Sequence, residues 1–117
     1  MKDDLSQFLP LSPATLHILL SLAGGDLHGY GIMQEVARQS EGQYKLGPGT
    51  LYDNLQKLTE VRLVQEIGQR PGDDDSRRRY YRLGALGRAV LAAETARLES
   101  VVREAKARLH VARPRRA

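Results

Sequence analysis

One short stretch carries most of the side chains that could recognise another molecule. It runs from Gly47 to Leu58, and its residues Leu51, Leu55 and Leu58 are spaced i, i+4 and i+7, which predicts a helix with one buried stripe. The other positions carry hydroxyl, amide, carboxylate and ammonium groups: Thr50, Tyr52, Asp53, Asn54, Gln56 and Lys57. Such groups can bind phosphates or base edges, and they contain no catalytic set. The alternative is an ordinary solvated helix face.

A candidate hairpin follows this helix. Residues 63–69 are a short strand candidate, residues 70–76 are turn formers, and residues 77–83 form a second strand rich in Arg and Tyr. Helix, strand, polar turn and basic strand is the order of a winged helix, in which the helix enters a DNA major groove and the hairpin lies against the flanking backbone. The candidate DNA contacts outside the helix are Lys45, Arg70, Arg77, Arg78, Arg79 and Tyr80.

Not every side chain of this interface can face DNA. Strand alternation sends Arg77 and Arg79 to one face and Arg78 to the other. Tyr52 has a competing role as a packing residue between helix and hairpin, because a buried Tyr usually keeps one polar end. The acidic run at residues 73–75 would repel phosphate, so we expect the hairpin tip either to point away from the DNA backbone or to limit non-specific binding.

Composition and charge favour a polyanionic partner. The 117 residues make one domain, and the absence of Cys excludes a disulfide framework and fits a reducing compartment. No apolar run could span a bilayer and no signal peptide opens the chain, so we expect a cytoplasmic protein. Residues 1–60 carry four Lys or Arg against seven Asp or Glu (−3), whereas residues 61–117 carry fourteen against seven (+7). This basic half suits nucleic acid, the alternative being a solvated basic surface.

The segments that precede this helix are predicted to contain two more helices. Ser12 is a candidate N-cap for a helix that ends near Ala23, and His28 opens a second helix that ends near Ser40. Residues 44–46 are a candidate for a very short strand. The first helix is apolar on more than one face, which indicates burial by its own domain and by a second subunit.

The last helix predicts a dimer. It begins near Ala85 or Leu86 and can run to His110, and its apolar positions alternate in steps of four and three, as in a heptad seam. A helix of this length cannot bury such a stripe on so small a body, so we expect a two-fold dimer rather than a monomer with a frayed helix. The predicted interface residues are Leu16, Leu19, Leu20, Leu91, Leu98, Val102, Ala105 and Leu109.

No residues indicate catalysis or a bound metal. His17, His28 and His110 lack metal-ligand spacing, and His28 is expected to be a cap or core contact. Residues 47–50 lack the Lys that a phosphate loop requires. We therefore expect no enzyme activity, no cofactor and no metal.

The chain resembles the PadR family of winged-helix transcriptional regulators in its short form. The resemblance covers about residues 9–110, and it rests on the apolar first helix and on particular motifs. These are His28-Gly29-Tyr30, Gly49-Thr50-Leu51-Tyr52 with Leu55 and Leu58, Arg78-Arg79-Tyr80-Tyr81-Arg82-Leu83, and Gly87.

The resemblance implies a homodimeric DNA-binding regulator, most often a repressor. It implies a pseudo-palindromic DNA site, a dimer built by the last helix with help from the first, and in some members release of DNA by an amphipathic or phenolic small molecule. Two positions depart from the family pattern. Arg62 replaces a Gly that takes a left-handed conformation after the third helix, so either the Arg is strained there or the turn differs. Gly84 replaces a Thr that caps the last helix.

We therefore predict a mainly helical α+β fold, a winged helix-turn-helix of three helices plus a hairpin, with a long C-terminal dimerisation helix. The expected units are residues 1–84 for DNA binding, 85–112 for dimerisation and 113–117 as a basic tail. The expected function is sequence-specific regulation of transcription. The competing hypothesis is a winged helix that binds protein or small molecules and has little DNA affinity.

Overall fold

The computed structural model of the protein describes residues 4–68 and 78–112. The order of its elements is that of the predicted winged helix-turn-helix, with a long helix at the C-terminal end. They are a short 3-10 helix (Leu5–Phe8), α1 (Pro13–Ala23), β1 (Leu27–His28), α2 (Gly29–Gln39), α3 (Pro48–Glu60), β2 (Val64–Gly68), β3 (Tyr80–Leu83) and α4 (Ala85–Ala112). The predicted fold class is confirmed.

The sheet contains a strand that the sequence did not predict. β3 lies in the centre, antiparallel to β2 on one side and to β1 on the other. β1 has only two residues, and it pairs through Leu27 opposite Tyr81. The short strand expected at residues 44–46 is wrong: this segment has no strand structure, and Leu46 is instead buried in the core. A strand of two residues has no alternation of polar and apolar side chains that sequence analysis could detect. Only the pairing of these residues with β3 defines β1.

The core is formed by one face of each helix and by the inner face of the sheet. Leu51, Leu55 and Leu58 are buried, which confirms the stripe predicted for α3. They pack with residues of α1, α2, the sheet and α4: Ile18, Leu19, Leu22, Ile32, Val36, Leu63, Val64, Tyr81, Leu83, Val90 and Leu91. The burial of this stripe leaves the other face of α3 in solvent.

Ser12 caps α1 as predicted, because its Oγ accepts from the Thr15 N–H at 3.1 Å.

Polar contacts hold the connection between α2 and α3. In the connection, the Tyr44 N–H donates to Ser40 Oγ at 3.0 Å, and the Tyr44 ring stacks on His17 of α1 with centroids 4.9 Å apart. His17 Nδ1 also lies 3.1 Å from Gln39 Oε1. His17 therefore joins α1 to the segment that leads into α3.

Arg62 adopts the left-handed conformation that the family resemblance implied for its position. Its φ is 67°, and it follows the C-cap Val61 of α3. The Arg62 N–H donates to the Thr59 carbonyl at 3.1 Å, and the Leu63 N–H donates to the Leu58 carbonyl at 2.9 Å. These two bonds form a Schellman motif, which normally has Gly at this position. A side chain there costs about 1 kcal/mol.

We expect Arg62→Gly to stabilise the fold by about 0.5–1 kcal/mol, since glycine removes the left-handed strain but adds entropy to the unfolded chain. Urea unfolding measures this free energy. Arg88→Gly is the matched control: it removes the same side chain from an exposed position of α4 and should destabilise by about 1 kcal/mol. A loss of stability in Arg62→Gly would contradict the strain.

A buried carboxylate fixes the position of α4 against the chain before α1. Glu94 is only 1% exposed, and its Oε2 accepts from the Leu11 N–H at 3.1 Å. Its Oε1 lies 2.6 Å from Arg97 Nε. The hydrogen bond from the Arg97 guanidinium, aided by the Leu11 N–H, lowers the pKa of Glu94 although burial opposes this. The carboxylate therefore stays charged and ties α4 to the segment before α1.

Candidate nucleic-acid interface

The exposed face of α3 presents most of the polar side chains predicted for it. Tyr52, Asp53, Gln56 and Lys57 are exposed, while the buried leucines fix the rotation of the helix. Thr50 in the first turn and Lys45 in the preceding connection are exposed as well. This face can donate and accept hydrogen bonds along about two turns of helix.

Asn54 differs from its neighbours. It is half-buried, and its Nδ2 donates to the Thr50 carbonyl at 2.8 Å. In this conformation its amide is turned onto the helix backbone. A contact from Asn54 to a base edge would require this bond to break.

Tyr52 lies where α3 meets the beginning of α2. Its side chain is 49% exposed, and its hydroxyl lies so close to Gly29 that a Cβ on Gly29 would be 2.1 Å from it. Gly29 is the first residue of α2. The close approach explains why the motif preceding Tyr30 has a glycine here. The Tyr52 hydroxyl packs against α2, while about half of the side chain stays exposed.

A cleft of about 440 Å³ opens beside Tyr52. It brings together two predicted residues of the basic strand, Arg78 and Arg79, with Tyr30, whose exposed fraction is 61%. Sequence analysis did not select Tyr30 as a site residue, although it stands in the His28-Gly29-Tyr30 motif. The other lining residues are His28, Gly29, Tyr52 and Tyr81.

His28 is a helix cap, as expected. Its Nδ1 accepts from the Gly31 N–H at 3.1 Å at the beginning of α2. Its ring packs edge-on against Tyr80 with centroids 5.2 Å apart. Tyr80 is only 9% exposed, so its predicted role as a DNA contact is corrected: it packs β3 against β1. Burial of Tyr81, the next residue, raises the pKa of its hydroxyl and keeps it neutral.

Two arginines, one directly before β3 and one within it, are paired with carboxylates. Arg79 contacts Glu66 of β2. Arg82 forms a bidentate ion pair with Asp26, and its Nη2 lies 2.8 Å from Asp26 Oδ2. Sequence analysis missed both partners, because strand pairing and not sequence spacing brings them together. Arg78 is exposed. The predicted contacts Arg70 and Arg77, and the acidic run at 73–75, lie outside the described residues.

A second feature, the apolar groove between α1 and α4, has a volume of about 640 Å³. It contains five of the predicted interface residues, namely Leu16, Leu20, Leu91, Leu98 and Val102. Leu19 does not belong to it: it is completely buried in the core of the protomer, so its assignment to a dimer interface is corrected. Ala105 and Leu109 are exposed further along α4, and the basic tail at 113–117 lies outside the described residues.

Within residues 4–68 and 78–112, no three His, Asp or Glu side chains gather as a metal site would require. None of the helices in this part of the chain is both long enough and apolar enough to cross a membrane.

A three-helix core with a small antiparallel sheet, an exposed polar face on α3 and a hairpin beside it defines a winged-helix protein of the regulator type. The PadR-like family of transcriptional regulators matches residues 18–93. The chain belongs to this family, which makes it a transcriptional regulator and not an enzyme.

Individual relatives agree with this assignment. The chain is 36% identical over 89 residues to Transcriptional regulator Rv3488 of Mycobacterium tuberculosis, which covers 76% of this chain and 78% of that protein. Among solved structures, a PadR family transcription regulator from Clostridium difficile superposes with a TM-score of 0.72 at 20% identity, over 84% of this chain and 99% of that one. A transcriptional regulator from Clostridium thermocellum gives a TM-score of 0.68 at 22% identity, over 80% and 86%. These two likenesses establish the fold.

Proposed function

We propose that this regulator binds a specific, pseudo-palindromic DNA site as a homodimer and represses transcription in the cytoplasm. The observation that carries the proposal is the exposed polar face of α3 beside the cleft that holds Tyr30, Tyr52 and Arg78. In this proposal α3 reads base edges in the major groove, while hydroxyl and guanidinium groups at the cleft contact the phosphate backbone.

The dimer is supported by the part of α4 that its own protomer does not cover. Residues 99–110 are exposed in the protomer, and the predicted interface residues Val102, Ala105 and Leu109 lie on one side of this part of the helix. The groove that begins at Leu16 and Leu20 continues along this part of α4. A second copy related by a two-fold axis would cover both surfaces at once, and it would present two copies of α3 to two half-sites.

A small-molecule effector is a further part of the proposal. The groove has an apolar floor with Glu99, Arg103 and Lys106 at its rim, which suits an amphipathic or phenolic molecule. Such a molecule, bound at the rim of the groove where it meets the edge of the dimer interface, would alter the spacing of the two α3 helices and release DNA. A panel of amphipathic phenols that leaves DNA binding unchanged would remove this part of the proposal.

The test is binding to the DNA directly upstream of the protein's own coding region, compared with scrambled DNA of equal length at low and moderate salt. We expect a preference of about a thousandfold for the upstream DNA and a steep loss of affinity with salt. Equal binding to both DNAs would place the specific site elsewhere. Absence of binding at low salt would favour the alternative function, a winged helix that binds protein or ligand.

Lys57→Gln should weaken binding to both DNAs by a similar factor of about five to ten. It removes a charge near the end of α3, and the slope of log affinity against log salt should fall by about two per dimer, one per protomer. Arg108→Gln is the matched control, because it removes one charge from the last turns of α4. An equal effect of both variants would indicate attraction by net charge and not a contact from α3.

A further inference from the structure

A carboxylate lies inside the proposed DNA interface, where phosphate would be expected to repel it. It belongs to Glu66 of β2, whose partner in the sheet is Tyr81. Arg79 lies directly before β3, and the pairing of β2 with β3 has an irregularity between Glu66 and Gly68 at this end of the sheet. The Arg79 guanidinium contacts the Glu66 carboxylate through Nη1 and Oε2.

Both partners border α3. Arg79 lines the cleft beside Tyr52 and Tyr30. Glu66 lines the neighbouring cleft, which also contains Tyr52 and Gln56. The ion pair thus lies on the hairpin proposed to follow the backbone, beside the helix proposed to read bases.

The pair is accessible to an incoming phosphate. The Arg79 side chain is 69% exposed and that of Glu66 is 34% exposed. Exposed ion pairs contribute little stability, so a DNA phosphate can compete with the carboxylate for the guanidinium, which suits either anion. The exchange would leave the Glu66 carboxylate without its partner next to the DNA backbone.

We propose that Glu66 limits DNA affinity by competing with phosphate for Arg79. The inference rests on the proposed function and assigns an affinity-setting role to a residue that makes no DNA contact itself. Because phosphate contacts dominate non-specific binding, this competition lowers the affinity of the regulator for DNA of unrelated sequence.

The experiment measures fluorescence anisotropy of labelled upstream and scrambled duplexes over a series of salt concentrations. Glu66→Gln should bind both duplexes about tenfold more tightly at moderate salt. Its slope of log affinity against log salt should steepen by about two per dimer, because each protomer gains one phosphate contact. Glu104→Gln is the matched control, since Glu104 is paired with Arg108 on α4 and loses the same charge; it should leave affinity and slope unchanged.

The double variant Glu66→Gln/Arg79→Gln decides whether the gain passes through Arg79. We expect its DNA affinity to be no higher than that of Arg79→Gln alone. If Glu66→Gln still tightens binding when Arg79 is absent, or if Glu104→Gln tightens binding equally, the effect is one of net charge and the inference is wrong. A Glu66→Gln variant that binds DNA no better than the parent protein also overturns it, while the proposed function stands. If no variant binds at the lowest salt, the proposed function fails and the inference with it.

Discussion

A Val102→Glu variant should be a folded monomer that binds the upstream DNA at least about a hundredfold more weakly than the parent protein. Val102 is 50% exposed in the protomer and lines the groove between α1 and α4. The substitution therefore costs the isolated protomer little. In the proposed dimer it buries a carboxylate in each subunit against an apolar surface, and several kcal/mol of desolvation oppose assembly.

Sedimentation equilibrium measures the assembly directly. The parent protein should have twice the chain mass of 13.0 kDa, and the variant should have the mass of one chain. Val101→Glu is the matched control, because Val101 is 49% exposed on the same helix but does not line the groove. It should remain dimeric. A dimeric Val102→Glu variant with full DNA affinity would contradict this interface, and a monomeric parent protein would contradict the dimer itself.

Gly87→Ala should destabilise the fold by about 3 kcal/mol and lower Tm by roughly 10 °C. A Cβ at this position would lie 2.0 Å from the Leu63 carbonyl oxygen and 2.8 Å from Leu83 Cδ1. The Leu63 backbone cannot easily move away. Its N–H donates to the Leu58 carbonyl at the end of α3, and its carbonyl accepts from the Gly84 N–H at 3.0 Å. α4 must therefore shift away from the sheet.

Calorimetry of Gly87→Ala and Gly49→Ala separates this steric cost from a general effect of replacing glycine. Gly49 lies in the first turn of α3, and a Cβ there would meet nothing within 4 Å. Gly49→Ala should be neutral or should stabilise by up to about 1 kcal/mol. Equal Tm values for the two variants would show that the close approach of α4 to Leu63 does not contribute to stability.

The local features of the fold could be predicted because each depends on neighbours in sequence. The Ser12 cap needs only the backbone of Thr15, and the stripe of Leu51, Leu55 and Leu58 needs only the period of the helix. The left-handed conformation at Arg62 was implied only by the family resemblance, with a different turn as the alternative. Where the prediction failed, a distant partner decided the structure: two residues became β1 because β3 lies beside them.

The candidate site shows the same division. The exposed face of α3 was identified from sequence, because the buried stripe determines which residues are left outside. Tyr80 and Leu19 were misassigned because their burial depends on elements far along the chain, namely the His28 ring and the assembled core. The carboxylate partners of Arg79 and Arg82 come from other strands and loops, and no spacing in the sequence indicates them.

The sequence by itself identified the family through the resemblance of its motifs. It also determined the class of fold and the helix with the polar face, since helix periodicity and turn chemistry act over a few residues. The tertiary structure alone decided which of those polar residues are available. It packed Tyr52 against Gly29, buried Tyr80 and brought Glu66 to Arg79. Charge and burial depend on what is near in space, and in this chain the deciding neighbours come from different elements.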